Sequence, residues 1–287
     1  MAITLYGIPG SHPVRAARLM LEYKGIPYKN IDIFPVVTRF VVPHVLRFPH
    51  NRVPAMKIDG RKIQGTQAIA RELDRLQPEP PLFPSDPAEQ SKVEDAEQWA
   101  DGFQQIPRTI IWWAFKHAPT SDMASFLAEA KLGLPAGVLA RTGAPVIYGG
   151  RKLNNSYDPE VERQLAELPS ALDKIDALIG EGVLDGERLY VADFDIGTSL
   201  RLLMAMEDLR PAIESRPCGE LAMRVQPKPP GQPRAGLPEL MARAAARAGR
   251  LRPWLSSRRT PQCLRFALDP GLRRDIARVP ARDEDRF

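Results

Sequence analysis

The sequence predicts two unlike domains in one chain, a small α/β domain followed by an all-α domain. Three observations predict it. Strand and helix patterns alternate over the first 77 of 287 residues. QPEPPLFPSDP then carries five prolines in eleven positions. After those prolines the strand signal largely vanishes, and long amphipathic stretches take over. Proline cannot extend a helix or a central strand, so the Pro-rich run reads as a linker. The domains are therefore set at 1–77, a linker at 78–87, a helical domain at 88–225 and a basic Pro/Arg-rich tail at 226–287, part of it expected to be disordered.

Residues 3–7 (ITLYG) read as the first strand. A Pro/Gly turn with one serine, Ser11, leads into a helix over 13–24 that stops at Lys24-Gly25. With Pro13 in the first helical position, His12 is the expected cap and Ser11 is left free to face a ligand. The plain alternative is that Ser11 itself caps the helix. Tyr28 to Ile33 alternates like a second strand, and a short helix is expected between Pro43 and Pro49. Val53–Ile58 and Arg61–Gln64 form a hairpin around Asp59-Gly60. Thr66 is a good N-cap for a helix over 66–76, whose apolar face carries Ile69, Leu73 and Leu76. This order fits a sheet whose first strands cross over through helices and whose last pair is antiparallel. Beyond the linker, helices are expected over 88–118, 121–141, 158–181 and 193–215. From Arg216 the pattern decays, and MARAAARAGRL reads as a short basic helix.

Composition narrows the function classes. Hydrophobic residues are 44% and charged residues 26%, ordinary for a soluble globular protein. Two cysteines, Cys218 and Cys263, cannot build a disulfide framework and point to a reducing, cytoplasmic setting. His12, His44, His50 and His117 show no metal-ligand spacing, so no metal is expected. No membrane span is expected, because no apolar run is long enough. The start MAITLYG does not read as a signal peptide. From Gln226 onward there are 14 Lys/Arg and 6 Asp/Glu, so the tail holds +8 of an overall +5, and residues 1–225 hold −3. Apart from Trp254 and Phe266 the tail has no interleaved aromatics, so nucleic acid is not an expected partner. A Ser-His-Asp triad is not supported: His12 adjoins Ser11 in sequence, and no nucleophile-elbow glycines flank them.

Four motifs in order carry a resemblance: LYGIPGSHPVRAARLMLEYKGI, RVPAMKIDG followed by TQAIARELDRL, the PLFP linker, and LYVADFDIGTSLRLL. Over residues 1–225 the chain resembles the cytosolic glutathione transferases of the serine type. The stretch LPSALDKIDALI…LRPAIESRPCGELAMRV is similar to bacterial members whose substrates are mostly unassigned. The resemblance implies a thioredoxin-like N-terminal domain and an all-helical C-terminal domain. It also implies a transferase role in detoxification: a low-molecular-weight thiol, glutathione, is activated for addition to a hydrophobic electrophile. The resemblance calls for no cofactor beyond that co-substrate, and implies a homodimer.

The resemblance places Ser11 at the catalytic position. A hydroxyl donor at a helix N-terminus stabilises a sulfur anion, aided by orphan amides. Val53 and Pro54 match a Val–cis-Pro pair whose backbone is offered to the cysteinyl part of the ligand. Thr66 sits where the γ-glutamyl carboxylate binds. Gly65 departs from the family, which usually has Glu or Gln there; Gln64 or Gln67 is the expected substitute. Arg52 and Arg39 are candidates for carboxylate contacts, their forked donors suiting that group, and His12, next to Ser11, is a further candidate for binding the thiol ligand. Phe103, Ile106 and Trp112 are the expected electrophile pocket, although an aromatic stripe is equally a core signature. Asp193 fits a helix-capping position, with Tyr190 where a Ser or Thr would complete the box. A non-catalytic interaction or scaffold protein on the same fold is the alternative reading, favoured by Gly65 and the divergent tail.

Overall fold

The hairpin forms where the sequence places it. Asp59 (φ 46°) and Gly60 (φ 87°) both take the left-handed backbone that a two-residue hairpin turn demands. They pair β3 (Ala55–Ile58) with β4 (Arg61–Gln64). The structure is a computed structural model describing residues 1–35, 37–117, 125–126, 136–231, 237, 239–241 and 244.

β1 (Ile3–Gly7) runs parallel to β2 (Lys29–Asp32) and antiparallel to β3, giving the order β2-β1-β3-β4. α1 (His12–Tyr23) and α3 (Thr66–Leu76) cover one face. Leu5, Met20, Leu21, Met56, Ile69 and Leu73 pack there with no exposed surface. A second small cluster of Tyr6, Ile33, Val42, Phe48 and Ala55 fills the other face. This is a thioredoxin-like sheet followed by a helical region.

The short helix comes earlier than expected. α2 (Thr38–Phe40) precedes Pro43 and runs into a wide turn over Val41–Val45, where Leu46 N–H donates to Val41 O at 2.8 Å. Pro43 has no N–H, so an ordinary helical ladder cannot continue through it, and the turn widens.

The expected helix over 88–118 is two helices, α4 (Pro87–Phe103) and α5 (Gln105–His117). Asp86 caps α4 by accepting from Ala88 and Glu89 N–H, both at 3.0 Å. The break falls at Gln104 because Pro107 removes a donor and crowds the carbonyl of Phe103. Of the expected helix over 121–141, residues 136–141 belong to α6 (Ala136–Leu153), and most of the rest lies outside the described residues. α7 (Asp158–Gly180) matches its expected span closely. The helix expected over 193–215 is α8 (Val191–Leu203) and a short α9 (Arg210–Glu214).

All of α8 is buried. It runs through the centre of the helical region, against α1, α4 and α10. Asp193 holds its start, accepting from Tyr190 N–H at 2.8 Å and Asp185 N–H at 2.7 Å. Half of the box is therefore made without the missing Ser or Thr.

The decay expected from Arg216 is a misreading. Pro217–Val225 form α10, with Cys218, Leu221, Ala222 and Val225 buried. Its nine residues are too few for a persuasive period, and the helix is held by packing rather than propensity. Gly219 explains the tight junction: a Cβ there would lie 2.3 Å from Ile213 O and 2.8 Å from Glu214 Cα. Both are backbone atoms, so nothing small can yield. Gly219→Ala is expected to cost about 3 kcal/mol by overpacking, read as a lower urea midpoint at unchanged slope.

The tail also begins as packed structure. Arg201 donates to Gln226 O at 2.8 Å and Pro227 O at 2.7 Å. Leu237 N–H donates to Asp208 at 2.9 Å, and Leu237, Leu240, Met241 and Ala244 are buried. Beyond Ala244 the expected basic helix and the rest of the tail, Cys263 included, lie outside the described residues.

Candidate active site

A cleft of about 800 Å³ opens where the C-terminal end of β1 meets the helical region. Ser11, Val53, Pro54, Gly65 and Thr66 reach it from the sheet side, and Arg108, Ile111, Trp112 and Phe115 from α5.

Ser11 takes the cap position of α1, and His12, not Pro13, is the first helical residue. Ser11 has extended backbone (φ −73°, ψ 118°), and its C=O accepts from Arg15 N–H at 2.9 Å. Its hydroxyl nonetheless makes no cap bond. Both readings of the sequence are thus half met: the backbone caps, while the side chain stays available on the cleft wall. His12 is buried, and its Nε2 has no partner among the described residues. Burial first, then the charge of Arg108, hold its pKa well below the ordinary value, against a backbone bond from Gln104. Both effects favour the uncharged ring.

The Val53–Pro54 bond is cis. Pro54 O accepts from Gly65 N–H at 3.0 Å, while the Val53 N–H and C=O have no partner among the described residues. Gln64 holds this segment rather than reaching a ligand: its Oε1 accepts from His50 N–H at 3.0 Å, and its Nε2 donates to His50 O at 2.7 Å and Arg52 O at 2.6 Å. Gln67 is exposed and lies outside the cleft lining, its carbonyl accepting from Arg71 at 3.2 Å. Neither glutamine stands in for the missing acid at Gly65. Gly65 has φ 90°, where side chains are strained, and the space where its Cβ would point is open.

Gly65 is also the cap of α3, and Thr66 its first residue, one position later than the sequence implies. The Thr66 hydroxyl is turned to Asp195 on α8, where its hydrogen bond favours the carboxylate. Arg52 and Arg39 both line the cleft and are exposed. They also border an adjoining hollow of about 650 Å³ with His44 and His50.

Of the expected electrophile pocket, Trp112 stands on the cleft wall. Phe103 and Ile106 do not. Both are buried in the core, with Phe103 stacked on Trp99 at 5.3 Å between ring centres. The break at Gln104 turns their face inward. Arg108 was missed by the sequence reading. The signal was Pro107 in QIPRT, which resets the helical phase so that 108, 111, 112 and 115 form one stripe toward the cleft. Among the described residues no cluster of metal-ligating side chains forms, and no helix is long and apolar enough to cross a membrane.

A thioredoxin-like sheet domain followed by a helical region, with a cleft where the two meet, defines a two-domain class of fold. Residues 5–81 match the family model described as glutathione S-transferase, N-terminal domain. The match spans the sheet domain and the start of the linker and leaves the helical region outside it. A glutathione S-transferase from Rhodospirillum rubrum F11 is 19% identical over 93% of this chain and 98% of its own, with a TM-score of 0.51. The beta-etherase LigF from Sphingobium sp. strain SYK-6 is 16% identical over 80% and 97%, with a TM-score of 0.55. At these identities the two structures establish a shared fold. No curated protein matches the chain.

Proposed function

We propose that the protein is a glutathione-transferase-like enzyme that activates a low-molecular-weight thiol, glutathione in the first instance, for addition to a hydrophobic electrophile. The observation that carries this reading is Ser11: a hydroxyl on the cleft wall, at a helix N-terminus, making no cap bond. In this reading the hydroxyl and the first amides of α1 stabilise the thiolate, which is the nucleophile, and the serine never forms a bond to substrate. The free Val53 backbone pairs with the cysteinyl unit as an added strand would. The N-terminus of α3 at Thr66 takes the γ-glutamyl carboxylate, and Arg39 the glycyl one, with Arg52 beside the ligand. Trp112, with Ile111 and Phe115, forms the electrophile wall. The thiol is a co-substrate and no further cofactor is invoked. The proposal includes a cytoplasmic homodimer.

The test is Ser11→Ala, assayed with glutathione and chlorodinitrobenzene. The expected result is a rate at least ~10-fold lower, since one lost donor to an anion is worth about 1.5–3 kcal/mol. The ultraviolet absorbance of bound thiolate should also shift to higher pH. An unchanged rate at unchanged stability removes Ser11 from the mechanism. Open space at Gly65, with no substitute from Gln64 or Gln67, favours the second reading, a non-catalytic interaction protein. Failure of the chain to be retained on immobilised glutathione, or to bind other small thiols, would decide for it.

A further inference from the structure

Three arginines that lie against neighbouring elements of this protein are answered by other groups. Arg71 grips Glu97 with two bonds, at 3.1 and 2.9 Å. Arg216 bridges Asp173 and Asp176, at 2.5 and 2.7 Å. Arg201 is taken up by the Gln226 and Pro227 carbonyls. Arg108 is the exception on the cleft wall. It is half-buried, and among the described residues it makes one hydrogen bond, to Gln105 Oε1 at 3.2 Å. Among the described residues neither Arg108 nor Arg52 takes part in any ion pair.

The two guanidinium groups line one cleft from opposite domains. Burial and the charge of Arg52 both lower the pKa of Arg108, with Asp101 opposing. Asp101 is the carboxylate on this part of the wall, and it forms no ion pair with either arginine. Two like charges are thus held facing the same space, Asp101 offsetting them only in part and with no ion pair among the described residues, an arrangement that an anionic ligand relieves.

The rest of the stripe says what the anion is attached to. Arg108, Ile111, Trp112 and Phe115 follow one another at helical spacing on α5, and all four line the cleft. From Arg108 to Phe115 the helix advances about 10 Å, the length of an aryl group with a short side chain. Arg108 stands at the end of this stripe whose charge reaches His12, next to Ser11.

Resting on the thiol-transfer reading above, we propose that the second substrate is a hydrophobic carboxylic acid. Its carboxylate is held by Arg108, with Arg52 across the cleft, and its apolar body lies along Ile111, Trp112 and Phe115. The carboxylate end then lies toward the thiol site. A planar guanidinium with free forked donors is the group suited to this.

The test uses the full chain without any thiol. Calorimetric titration compares trans-cinnamate with cinnamyl alcohol, which share one carbon skeleton. The parent protein should bind the acid at least ~10-fold more tightly, as expected for a charge-assisted bond. Arg108→Gln should abolish that preference, leaving the alcohol's affinity unchanged. Arg108→Lys should retain part of it. Arg52→Gln, at an exposed position, should narrow it even if Arg108→Gln fails to fold. Equal binding of acid and alcohol by the parent, no binding of either, or a preference that survives both glutamine variants overturns the proposal. Because no thiol is present, loss of activity in Ser11→Ala or failure to bind glutathione leaves this readout intact, so the two readings fail separately.

Discussion

Lys24→Met is expected to destabilise the protein by about 3–5 kcal/mol, the scale for breaking a buried ion pair from one side. Lys24 ends α1 with a side chain fully shielded from solvent. Its three donors are all taken, by Asp74 at 2.6 Å, Gln77 O at 2.6 Å and Pro80 O at 2.7 Å. Asp74 in turn accepts from Leu82 N–H at 2.9 Å. One ammonium therefore ties the first helix to the linker and fixes where the helical region begins. Methionine matches the shape but leaves a carboxylate and two carbonyls without their donor. Chemical denaturation measures the loss. The double variant Lys24→Met/Asp74→Leu should regain part of it, because the stranded charge is gone. A loss below about 1 kcal/mol in the single variant would mean that water replaces the ammonium and that the anchor is dispensable.

The second large effect is a gain. Asp195 lies on α8 with 2% exposure, and its Oδ1 has no partner among the described residues. Burial, then the charge of Glu97, push its pKa up to about 8, the Thr66 hydroxyl opposing and Asp101 adding to the rise. The folded state therefore keeps a proton that the unfolded chain releases near pH 4. Where the native state binds more protons, stability falls as pH rises. The penalty is absent below about pH 4, grows through the interval, and is complete above pH 8. Asp195→Asn removes it. At pH 9 the variant should be more stable by on the order of 3 kcal/mol, and the gap should close as pH falls toward 4. Thermal unfolding of both proteins across that range gives the difference directly, with Asp193, whose pKa is also raised by burial, cancelling between them, while Glu97, coupled to Asp195 by charge, is part of the measured difference. A gap independent of pH would show that Asp195 is not a buried proton holder.

The sheet was legible because each of its signals is local. Asp59-Gly60 dictates a turn within two residues, and the short apolar run of β1 and the alternation of β2 are each visible within about six. The linker was legible for the same reason, since each proline acts on its own backbone. The helical region was read less well wherever neighbours decided the outcome. Pro107 splits α4 from α5, and that split sends Phe103 and Ile106 into the core while aiming Arg108 at the cleft. α10 exists because Gly219 lets it lie against the end of α9, and no period in nine residues announces that contact.

The candidate site divides along the same line. Ser11 and the Val53–Pro54 pair lie on short, self-defining turns and could be named in advance. The idle Gln67, the clamp made by Gln64 and the unanswered Arg108 could not. Their roles depend on which carbonyl, loop or charge stands opposite, and those partners come from distant parts of the chain. By itself the sequence determined the strand order signals, the hinge serine and the place where one domain gives way to the next, because those follow from backbone restrictions carried by single residues. The tertiary structure alone decided which charges are buried, which are paired and which face open space, because electrostatic energy depends on distance and solvent exclusion, and neither is a property of sequence neighbours.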